Sequence, residues 1–112
     1  MGLNGAAVSN QETGITAIGS VINVSPGAKI SAWPTAGGSP SAALYYTGSP
    51  PAAAWADIVA GGATIAANNG HAQWDEWAPG TVTAKTVERA PHWATYAVLV
   101  VSSGTWTLEI CQ

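Results

Sequence analysis

Paired carboxylates are the residues with which a small protein most readily does acid and base work, and this sequence has one such pair, Asp75-Glu76, set between Trp74 and Trp77. Glycosidases use two carboxylates that face one substrate. Neighbours on a strand point to opposite faces, so this pair is not expected to do so and reads as a solvated strand end or turn. His71, His92 and Asp75 lack the tight spacing of metal ligands, and neither Cys-x-x-Cys nor His-x-x-x-His occurs. Cys111 is the single cysteine. It can form no disulfide within the chain, has no base placed beside it by sequence, and reads as a buried or edge-strand thiol. Gly37-Gly38 and Gly61-Gly62 are not followed by a helix carrying Lys or Ser/Thr, so they read as turns rather than phosphate cradles. The expectation is a protein without catalytic residues, metal or cofactor, and not an enzyme.

Tryptophan is the unusual feature, with six in the chain and no phenylalanine. Exposed indole faces could stack on sugars; buried ones replace Phe as large core fillers or pack at subunit interfaces. Trp106 falls in a strongly apolar strand pattern and is expected in the core, and Trp55 and Trp93 sit in runs that look buried. Trp33, Trp74 and Trp77 are the expected contact residues for a partner or a glycan, the last two because polar neighbours and Pro79-Gly80 argue for partial exposure.

A chain of 112 residues holds one domain. Charged residues make up only 8% of it, against roughly 25% in an average soluble protein. The net charge is -3, and Lys29, Lys85 and Arg89, the only cations, are not expected to form a nucleic-acid patch. So little charge gives little repulsion between copies, which suggests that other subunits cover part of the surface, as in a homo-oligomer. The opening Met-Gly-Leu-Asn-Gly lacks the n-region and h-region of a signal peptide, so synthesis in the cytoplasm is expected. The longest apolar run, Tyr96 to Val101, is far short of the ~20 residues that cross a bilayer, and no membrane partner is expected.

Residues 1–15, rich in Gly, Ala, Asn and Ser, read as a flexible N-terminal arm, and residues 16–112 as the folded domain. From Thr16 onward short β-type runs are cut by turn signals such as Ser25-Pro26-Gly27, Ala36-Gly37-Gly38-Ser39-Pro40, Pro79-Gly80, Ala90-Pro91 and Ser103-Gly104. The runs are 16–24, 28–33, 42–47, 55–59, 63–67, 71–77, 81–88 and the C-terminal segment. That predicts an all-β antiparallel β-sandwich of about 7–9 short strands. If Ser103-Gly104 is a two-residue loop, a C-terminal hairpin pairs Val101 with Trp106, Leu99 with Leu108 and Ala97 with Ile110 on an apolar face. The other face, with Tyr96, Val98 and Val100, is then half-exposed.

Four segments carry a family resemblance: Ala42-Ala43-Leu44-Tyr45-Tyr46-Thr47, Trp55-Ala56-Asp57-Ile58, Ala63-Thr64-Ile65-Ala66-Ala67-Asn68-Asn69-Gly70, and the stretch from Val98 through Ser103-Gly104 to Ile110. Their order resembles that of the small β-sandwich accessory proteins of tailed bacteriophages, over roughly residues 16–111. The resemblance implies a structural virion protein, most concretely a capsid decoration or cement protein bound to the major capsid protein or another virion protein on the outside of the head. A tail or fibre accessory protein is one alternative. A carbohydrate-binding module using Trp33, Trp74 or Trp77 is another.

Overall fold

The computed structural model describes residues 9–48 and 74–112. The runs at 55–59 and 63–67, the turns at Gly61-Gly62 and Asn68-Asn69-Gly70, His71, and residues 1–8 of the expected arm lie outside the described residues. The described part is all-β and antiparallel. Its strands are β1 (Ser9–Ile15), β2 (Ile22–Asn23), β3 (Lys29–Thr47), β4 (Asp75–Glu76), β5 (Thr86–Arg89) and β6 (Tyr96–Cys111). They form one hydrogen-bonded six-stranded sheet, ordered β1-β6-β3-β4, with β2 also pairing β6 and β5 also pairing β3.

Two long strands make the frame. β3 and β6 pair along their whole lengths, from Lys29 opposite Cys111 to Thr47 opposite Tyr96. The expected C-terminal hairpin is therefore absent: Tyr96 to Cys111 runs as one strand, and Leu44 and Ala32, not segments of β6 itself, lie opposite Leu99 and Leu108. Likewise Ala36-Gly37-Gly38-Ser39-Pro40 is not a break between strands but an irregular stretch inside β3. Eight steps along β3 from Pro34 to Ala42 oppose five along β6 from Trp106 to Val101, a surplus of three. An odd surplus swaps the faces of β6 relative to β3, as a hairpin turn would also have done. The apolar set Ala97, Leu99, Val101, Trp106, Leu108 and Ile110 thus shares one face as expected, now with Ile30, Ala32, Ala42, Leu44 and Tyr46 from β3. Gly37 (φ +101°) and Gly104 (φ +82°) meet at the irregularity, so close that a Cβ on Gly37 would lie 2.7 Å from the Gly104 Cα.

The sequence patterns of the two halves follow from what covers them. Trp106, Leu108 and Ile110 alternate with Thr107, Glu109 and Cys111 because only one face of that half meets the main core. Tyr96 to Val101 is almost continuously apolar because this half is covered on both faces. Val98 (0% exposed) and Val100 (7%) pack in a second cluster with Ala43, Tyr45 and Trp74, flanked by Ile18 and Val21. Burial thus replaces the half-exposure expected of Val98 and Val100, while Tyr96 stays half-buried.

Residues 9–15 depart from the arm reading. They pair with β6 from Ser9 opposite Cys111 to Ile15 opposite Trp106, and Ile15 is buried. The backbone ladder, which needs no large side chains, orders a segment whose composition alone offers little apolar area. The chain then continues along the same edge of β6, with Val101 N–H donating to the Ala17 carbonyl (2.6 Å) and Gly19 N–H to that of Leu99 (2.8 Å). The Glu12 carboxylate accepts from the Ser20 N–H and hydroxyl and ties the two stretches together. At Ser25-Pro26-Gly27-Ala28 the predicted turn forms. Proline sets the first central residue, Gly27 takes φ +74°, and Ala28 N–H donates to the Ser25 carbonyl at 3.0 Å.

Candidate functional site

The sequence nominates Trp33, Trp74 and Trp77 as contact residues, and the fold does not bring them together. Trp74 is 0% and Trp77 2% exposed, so the partial exposure expected of both is corrected. β4 is short, and its neighbours enter opposite clusters, Trp74 the smaller one and Trp77 the main core. The polar pair between them, the basis for expecting exposure, takes the strand positions opposite Tyr46 and Tyr45. Trp77 is fixed further: its N–H donates to the Leu44 carbonyl (2.8 Å), its Nε1 to the Gly80 carbonyl (2.6 Å), and Gly80 N–H closes a turn back to it (3.0 Å).

Asp75 lies opposite Tyr46 and Glu76 opposite Tyr45, so the carboxylates belong to different faces, as strand geometry requires. Burial, then Glu76, raises the Tyr45 phenol above its ordinary pKa; burial, then Glu88, pushes Tyr46 up to about 12. Both phenols stay protonated at neutral pH and act as core residues with a polar tip. Among the described residues no group of three or more His, Cys, Asp or Glu could hold a metal ion. A groove of about 490 Å³ opens between β1 and residues 20–23. The acid that lines it, Glu12, is taken up by Ser20.

What the surface does offer is aromatic and apolar. Trp93, expected to be buried, is 44% exposed. It sits in the turn closed by Ala94 N–H on the Pro91 carbonyl, with its ring edge-on to Tyr46 (centroids 6.1 Å apart, planes at 81°). Trp33 lies half-buried on the face of β3 turned away from the main core, and Lys85 Nζ sits 5.6 Å from its ring centroid. Beside it, Val87 of β5 is 49% exposed, opposite Ser31. Neither Val87 nor the position of Lys85 stands out in sequence, because only the register of β5 on β3 places them beside Trp33.

Comparison with protein-family models, with curated proteins and with solved structures finds no match for this chain.

Proposed function

We propose that this chain is a structural virion protein, a decoration or cement subunit that coats the outer surface of a tailed-phage head in many copies. The observation that carries this reading is a weakly charged surface, in a chain with only 8% charged residues, that presents large apolar side chains, Trp93 and Val87, to solvent. Aromatic residues at the surface are what protein interfaces use. The order of the sequence segments, similar to that of phage accessory proteins, supplies the specific form, with the through-running β6 in place of the closing hairpin of that pattern. The main cluster, lined by both halves of β3 and β6, is compatible with the two-layer sandwich of such proteins.

Heads of the encoding phage, assembled without this protein, should bind the full chain saturably in co-sedimentation and become more resistant to heat. Heads that neither bind it nor gain resistance overturn the proposal. A glycan-binding reading rests on Trp93 and Trp33, the indoles that keep accessible area among the described residues, since Trp74 and Trp77 are buried. A glycan array with strong hits that disappear in Trp93→Ala, together with no head binding, would favour it.

A further inference from the structure

All three cations of the chain lie along one side of the sheet. Lys29 on β3 is directly opposite Arg89 on β5, and Val87 is opposite Ser31 two residues along. Lys85, just before β5, stacks on Trp33, two residues beyond Ser31. Lys29, Ser31 and Trp33 alternate with the core residues Ile30 and Ala32, so Lys29, Arg89, Val87 and Trp33 share the face turned away from the main core. Lys29, Lys85, Val87 and Arg89 are exposed and Trp33 is half-buried, whereas Ser31 beneath them is buried. Arg89 is further oriented by donating from Nη1 to the Gly27 carbonyl at 3.1 Å.

Folding does not ask for this arrangement. Like charges directly opposite on antiparallel strands are destabilising. In a chain with 3 cations and 6 acids, pairing each cation with an acid was open. Among the described residues, the one acid on the same face nearby is Glu109, on β6 across Ser31 from Val87. It bounds the patch on the side away from the sheet edge.

The geometry points to a docking face for an acidic protein surface, with Trp33 and Val87 as its apolar centre and Lys29, Lys85 and Arg89 as its rim. Protein interfaces combine an aromatic or aliphatic centre with a charged rim, and Trp and Arg are the residues that dominate their energetics. A nucleic acid would instead call for a longer run of cations following a phosphate backbone. The inference rests on the reading of the chain as a subunit of a larger assembly, and the head surface is the acidic partner it names.

The test uses the full chain and the double variant Lys29→Glu/Arg89→Glu, with Trp33→Ala as a second variant and circular dichroism to verify folding. Each is assayed on two probes: the phage heads, and poly-L-glutamate immobilised on a sensor, with heparin and duplex DNA as controls. The wild type should bind poly-L-glutamate and lose that binding between about 50 and 300 mM salt as screening shortens the reach of charge. The double variant should bind at least about tenfold more weakly to both probes, and Trp33→Ala should also weaken binding to heads. Head binding that is unchanged in the double variant and insensitive to salt overturns this inference and leaves the proposed function standing. Absence of head binding overturns the proposed function, and the poly-L-glutamate arm then decides the face by itself: no binding, or binding equal in the double variant, refutes it. Stronger binding to heparin or DNA than to poly-L-glutamate, or salt-sensitive self-association of the wild type, also refutes it and assigns the face to a polyanion or to a second copy.

Discussion

Gly37→Ala examines the frame of the molecule most sharply, because its neighbour supplies the control. At Gly37 the backbone has φ +101°, and a Cβ would stand 2.7 Å from the Gly104 Cα of β6. A non-glycine residue in such a conformation costs about 1–3 kcal/mol, and forcing an extra methyl against packed backbone typically costs a further 1–3 kcal/mol or so. The lower chain entropy of alanine in the unfolded state returns about 0.4–1 kcal/mol. The net expectation is a loss of about 1–5 kcal/mol, a large share of the ~5–15 kcal/mol that holds a domain together. Gly38, one residue on, has no such φ, and a Cβ there would meet nothing within 4 Å. Gly38→Ala should therefore stay within about 0.5 kcal/mol of wild type or gain slightly. Urea melts of the two variants measure the difference; with a slope of about 1–2 kcal/mol/M, the Gly37→Ala midpoint should fall by at least about 0.5 M. Equal midpoints would mean that β3 and β6 do not meet at Gly37 and Gly104, and the continuous ribbon would be wrong.

Further expectations concern the core and its titration. Trp106 is fully buried, with Nε1 donating to the Ser103 carbonyl at 3.1 Å. Trp106→Ala should cost about 3–5 kcal/mol in denaturant melts, and Trp74→Ala and Trp77→Ala should fall in the same range; a cost under about 1 kcal/mol at Trp74 or Trp77 would contradict their burial. The Tyr46 hydroxyl is buried without a hydrogen-bond partner. Tyr46→Phe should thus be neutral or stabilising by up to about 1 kcal/mol, and a loss beyond that would reveal a missed partner. Folded Tyr46 keeps its proton up to about 12, against 10.0 for an ordinary tyrosine. The folded state therefore binds more protons between those values, and stability falls as pH rises through them. Urea midpoints should decline less steeply over that window in Tyr46→Phe, and identical slopes would contradict the shift. Cys111→Ser should leave stability within about 0.5 kcal/mol.

Much of the fold is legible in the residues. Periodicity identifies the apolar face of β6, the buried Trp106, the Pro26-Gly27 turn and the opposed faces of Asp75 and Glu76. What periodicity cannot choose is the partner. A two-residue loop at Ser103-Gly104 and a bulge opposite three surplus residues both switch the face of a strand, so the same apolar set fits a hairpin or a through-running strand. The strand that decides between them, β3, lies far away in sequence. Trp74 and Trp77 mislead for a related reason. Asp75-Glu76 beside them is polar, but their burial is set by Tyr45, Tyr46 and β6, which local pattern does not reveal. The face that joins Trp33, Val87 and the three cations exists only through the register of β5 on β3. In sequence Trp33 stands out as a possible contact residue, whereas Val87 and the three cations look like an ordinary solvated surface.

The proposed role, a structural subunit on a larger particle, is tested by affinity isolation of the protein at its native abundance, followed by quantitative mass spectrometry of what accompanies it. A major capsid protein should be recovered at a fixed ratio to this chain, reproducibly between preparations and in reduced amount with the Lys29→Glu/Arg89→Glu variant. Recovery of the chain alone, or with a glycan and no particle protein, would contradict it.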